Sequence, residues 1–116
     1  MPDPDEEQLE TVEGGESPET EMPDPAFLLS YAAMHLQTME LMKTILAVAD
    51  GHAWRNLGMV AGLEGVKTDL PSAQLAIDLF GFLFTKLESE IEEEERREMQ
   101  RRLNDLRTNF LEKSRE

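Results

Sequence analysis

Residues 69–88 read DLPSAQLAIDLFGFLFTKLE, and this stretch decides the fold class. Asp69 precedes Pro71, an N-cap followed by a proline in the first turn, where a missing N–H costs nothing. Leu70, Ala73, Ile77, Phe80, Phe84 and Leu87 then recur at helical spacing, with Leu75, Leu79, Phe82 and Leu83 extending round the other side. The polar strip is narrow: Gln74, Asp78, Gly81 and Thr85. A helix over 70–88 with so wide an apolar face is expected to be buried nearly all round.

Moving towards the C-terminus, Ser89 and Glu92 fit a capping box, which predicts a helix over 89–113. Ile91, Met99, Leu103, Leu106 and Phe110 form a narrow seam along it, suited to a bundle or an antiparallel pair. Its charge is segregated, with Glu88, Glu90 and Glu92–Glu95 ahead of Arg96, Arg97, Arg101, Arg102, Arg107, Lys113 and Arg115. This order complements the helix dipole and allows i,i+4 pairs such as Glu92–Arg96 and Glu93–Arg97. It also allows antiparallel pairing of acidic and basic halves between two copies.

Moving towards the N-terminus, Gly51, Gly58, Gly62 and Gly65 punctuate an irregular stretch over 52–69. A short helical turn is expected at 52–57, with Trp54 and Leu57 facing inward. Before it, Asp24 and Pro25 mark the start of a helix that should run over 25–48, with Asp50-Gly51 as its stop. Phe27, Tyr31, Met34, Leu41 and Ile45 form one apolar stripe; Leu28, Ala32, Met39, Met42 and Leu46 form a second beside it. That face is wider than one neighbouring helix can cover.

Residues 1–24 contain ten acids, no Lys or Arg, and four of the six prolines. They bury too little to offset ordering entropy, so a disordered acidic tail is expected. It serves either as a solubilising arm or as a docking arm that competes for a basic surface. Residues 25–116 form the helical domain, with 15 acids against 11 bases, so most of the net charge of −14 sits in the tail.

The composition narrows the function classes. With no cysteine there is no disulfide framework, thiolate zinc site or cysteine nucleophile, which fits a cytoplasmic protein. An acidic balance disfavours nucleic acid and anionic membrane surfaces as partners. Phe27 to Ala49, the most apolar stretch, contains His35, Gln37, Glu40 and Lys43, too polar a centre for a membrane span. The two histidines, His35 and His52, have no companion ligands at matching spacing. Neither a phosphate loop nor a nucleophile elbow is present. No catalytic, cofactor-binding or metal-ligating residue is expected, and the protein reads as a non-enzyme.

The remaining candidates are surfaces. Methionine suits adaptable cores and binding faces, which singles out Met34, Met39 and Met42; Tyr31 and Trp54 join them as candidate interaction residues. Two such apolar helices in so small a domain predict self-association as a homodimer or larger assembly. The function expected is that of a small non-catalytic adaptor, binding itself and an unknown protein partner. The alternative is a regulator whose acidic tail binds a basic surface of a macromolecular machine.

The chain also resembles a bacterial family of unknown function, domain of unknown function 1844, over about residues 26–113. The resemblance rests on Asp69, Leu70, Ala73, Ile77, Asp78, Leu79, Leu83 and Lys86, then Glu94, Glu95, Leu103, Leu106, Arg107 and Phe110, and on the pair Leu57-Gly58. It departs at Lys86–Ile91, where the family has a polar turn, so the junction there is expected to differ. The family implies a fold and no activity. It draws attention to Asp78 and Arg107, for which a structural salt bridge or cap is expected.

Overall fold

The computed structural model describes residues 23–63 and 65–116. Apart from Pro23 and Asp24, the expected disordered tail lies outside them. The described residues are all-helical, in four helices: α1 (Pro25–Ala33), α2 (Thr38–Asn56), α3 (Leu70–Leu87) and α4 (Glu93–Ser114). They fall into two compact units, residues 23–36 with α1 and residues 37–116 with the other three.

The helix expected over 25–48 is two helices. At the end of α1 the N–H groups of His35 and Leu36 donate to the carbonyls of Ala32 and Ala33, both at 3.1 Å. These three-residue bonds tighten the last turn and close the helix. Gln37 is then extended (φ −72°, ψ 156°), and its N–H donates to Glu40 Oε1 at 3.1 Å. Glu40 thus supplies the returning half of a capping box. Gln is an uncommon residue at that position, which hid the boundary in a continuous apolar pattern.

Asp50-Gly51, the expected stop, lies inside α2. A glycine in a helix interior costs about 1 kcal/mol relative to alanine, but continuing the helix buries Ala53 and Leu57 completely. Trp54 Nε1 also donates to Asp50 Oδ1 at 3.1 Å, and Asn56 Nδ2 to the His52 carbonyl at 2.9 Å. The expected turn at 52–57 is therefore the end of α2. The helix stops at Gly58, whose φ of 74° is left-handed. Gly58 N–H donates to Arg55 O and Met59 N–H to Trp54 O, both at 3.0 Å, a Schellman closure that favours glycine.

Asp69 caps α3 as expected, accepting the Ser72 N–H at 3.0 Å and the Ser72 hydroxyl at 2.8 Å. These two bonds hold its carboxyl below its ordinary pKa. The Asp69 N–H donates to the Asn56 carbonyl at 2.8 Å, tying the start of α3 to the end of α2. The helix expected from residue 89 starts at Glu93, because Glu88–Glu92 are needed to reverse the chain; Ser89 hydroxyl reaches only Glu90. Ile91 in that reversal packs against the core.

Core residues come from three helices: Leu46, Ala49 and Ala53 of α2, Ala73, Ile77, Phe80, Leu83, Phe84 and Leu87 of α3, and Met99, Leu103 and Leu106 of α4, with Leu57 just past α2. α3 packs along both neighbours, while α2 and α4 meet more sparsely. Two ion pairs set the register of α2 on α4: Lys43 Nζ with Glu95 Oε2 at 3.2 Å, and Arg102 Nη1 with Asp50 Oδ2 at 2.8 Å. Both partners advance by seven residues, so α2 and α4 run the same way, with α3 antiparallel between them.

Candidate interaction surface

Six of the eighteen residues of α3 are buried, one face and no more. The expectation that this helix is buried all round is met on that face only. Leu75, Leu79 and Phe82, at i, i+4 and i+7, stand 71%, 42% and 59% exposed, and Lys86 Nζ lies 5.5 Å from the centroid of the Phe82 ring. On α2 the neighbouring Val48 is 44% exposed. Between these helices runs a groove of about 290 Å³, lined by Ile45, Val48, Ala49, His52, Leu75, Ala76 and Leu79. No Asp, Glu, Lys or Arg lines it, which is unusual for the outside of a chain in which those four types make up 31% of residues. Contiguous exposed apolar surface of this kind marks contact surfaces in soluble proteins.

A second cleft, about 270 Å³, lies between α3 and α4 and is lined by Gln74, Ile77, Arg107, Phe110 and Leu111. Arg107 makes no hydrogen bond or ion pair among the described residues. Asp78 accepts from Gln74 Nε2 at 2.8 Å within its own helix. Neither residue takes the salt bridge or cap expected of it.

The other arginines of α4 are engaged. Arg96 and Arg97 bind Glu93, and Arg101 and Arg102 bind Glu98 at 2.6 and 3.0 Å. Hydrogen bonds from Arg96 and Arg97 hold the Glu93 carboxyl well down, to about 2. Those from Arg101 and Arg102 lower Glu98 as well. Of the two expected i,i+4 pairs Glu93–Arg97 is present, while Glu92 acts as the N-cap position. Arginines committed in this way leave little free positive charge for an external phosphate or a partner's acidic half.

The sequence-derived candidates do not form one cluster. Tyr31 and Met34 lie in the first unit, both exposed; Tyr31 stacks on Phe27 at 6.2 Å and meets His35 edge-on at 5.1 Å. Met39 is exposed in the first turn of α2, whereas Met42 and Trp54 are partly buried against the core. The stripe Leu75–Leu79–Phe82 was visible as apolar spacing, but spacing does not say which of two apolar faces lies outside. Among the described residues no group of three or more His, Asp or Glu side chains is placed to hold a metal ion, and no helix is long and apolar enough to cross a membrane.

No curated protein and no solved structure matches the chain. One family model does, that of the Domain of unknown function (DUF1844), over residues 38–112. The match begins with the first residue of α2 and ends within the last turn of α4, so it takes in the three-helix unit and leaves α1 outside. The positions that carried the resemblance have physical roles in that unit: Asp69 caps α3, Gly58 closes α2, and Ala73, Ile77, Leu83, Leu103 and Leu106 are core. A helical unit delimited so closely by the match makes the chain a member of the DUF1844 family.

Proposed function

We propose that the protein is a small, non-catalytic cytoplasmic interaction module that associates with itself through its helices and presents the acidic N-terminal segment to other molecules. The observation that supports this reading is the uncharged stripe Leu75–Leu79–Phe82 beside Val48, left open to water by the single chain. A unit of this size gains much by covering such a face, because small domains bury a low fraction of their surface. Light scattering across a dilution series tests it. A mass near twice 13.2 kDa at working concentration, falling on dilution, is expected; 13.2 kDa throughout would refute self-association.

A second reading is favoured by the ten acids and absent bases of residues 1–24. In it the tail occupies a basic surface on a macromolecular machine. Co-purification from native cells separates the two readings. A complex retained by the full chain and lost without residues 1–24 supports the tail; a complex retained by both supports the helical surface.

A further inference from the structure

We propose that α1 is an arm that fills the α2–α3 groove of a second copy of the chain. The inference deepens the self-association reading and rests on it.

The argument begins with α1. Its sequence, PAFLLSYAA, has no charge, and none of its nine residues is buried. Phe27, Leu28, Leu29 and Tyr31 are all exposed, as is Met34 just beyond, at 81%. Isolated helices shorter than about 12–15 residues are marginal in water. A nine-residue helix of this composition therefore needs an apolar surface to hold its form.

The groove supplies a surface of matching chemistry and size. No Asp, Glu, Lys or Arg lines it, and it runs along α2 from Ile45 to His52. At 1.5 Å per residue that is about 10 Å, against about 13 Å for α1. The other apolar cleft, between α3 and α4, has the unpaired Arg107 in its lining, and the outer face of α4 carries ion-paired side chains, so neither matches an uncharged arm as the α2–α3 groove does.

The occupant is a second copy because each chain carries both halves of the contact. Two copies related by a twofold axis exchange two arms and fill two grooves, the self-complementary arrangement most homodimers use. Doubling also answers the question of area. One nine-residue arm covers less than the roughly 800 Å² per partner of a stable interface; two arms with two grooves approach it.

The absence of cysteine from the chain allows a direct test. Full-length Leu29→Cys is mixed with full-length Leu75→Cys, and separately with Val48→Cys, and each mixture is oxidised. All three positions are exposed, so the chains should fold as the unsubstituted protein does. The expected result is a covalent dimer near twice 13.2 kDa in which mass spectrometry finds mixed disulfides in excess over like-with-like ones. In parallel, Leu29→Asp should lower the scattering mass from dimer to monomer while losing no more helix than the nine residues of α1. If the unsubstituted protein is dimeric but the cross-links are only 75–75 or 48–48, the grooves meet face to face, and the arm is overturned while self-association stands. A double variant, Leu29→Cys with Leu75→Cys, that closes within one chain also overturns it. An unsubstituted protein that is monomeric throughout removes both.

Discussion

Replacing Gly81 by alanine should make the protein more stable. Gly81 lies in the interior of α3 where it crosses α4, and an added Cβ would sit 3.6 Å from Arg107 Nη2 and 4.0 Å from Leu103 Cδ2. Those are ordinary contact distances, so nothing has to move. Glycine in a helix interior is about 0.8–1.0 kcal/mol less favourable than alanine, chiefly because it has more freedom to lose on folding. The expected gain is about 1 kcal/mol. For a unit of this size that raises Tm by roughly 4–8 °C, and with a urea m-value of about 1–3 kcal/mol per molar it raises the midpoint by about 0.3–1 M. Urea titration followed by far-ultraviolet circular dichroism measures the midpoint directly. A lowered midpoint at unchanged m would refute the reasoning, because it would mean that the α3–α4 crossing has no room for one methyl group.

Three further outcomes are expected. Gly58→Ala should destabilise by about 1–2 kcal/mol, since an L side chain disfavours a left-handed backbone, and its Cβ would also fall 2.8 Å from Thr68 Oγ1; a neutral thermal melt would count against the Schellman closure. Asp50→Ala should cost about 1–2 kcal/mol through loss of the bonds from Trp54 Nε1 and Arg102 Nη1, and should shift Trp54 emission; an unchanged spectrum would contradict the first of these contacts. Glu93 has a folded pKa held to about 2 from an ordinary 4.5, so its contribution is present above about 4.5 and is lost as pH falls towards 2. The Tm difference between the unsubstituted protein and Glu93→Gln should therefore shrink to nothing across that interval, and a difference independent of pH would exclude the Arg96 and Arg97 contacts as its source.

Much of this was legible from residue order, because the signals are local. The 3.6-residue spacing from Leu70 to Leu87, the Asp69 cap and the seam Met99–Leu103–Leu106 depend on neighbours a turn away, and α3 and the α4 core follow them closely. The family, too, was carried by these cap and core positions. Tertiary packing decided the rest. Whether Gly51 ends a helix depends on how much Ala53 and Leu57 gain by being buried against other helices, a long-range quantity that outweighs a local propensity of about 1 kcal/mol. The start of α4 depends on the room the chain needs to reverse after Leu87, whereas the start of α2 rests on a local contact that Gln at the cap position disguised, the Gln37 N–H donating to Glu40 Oε1. The open face was settled in the same way. Two apolar stripes were readable on α3, but one helix can meet its neighbours on only part of its circumference. The packing of α2 and α4 chose the stripe through Phe80 for the core and left Leu75, Leu79 and Phe82 outside.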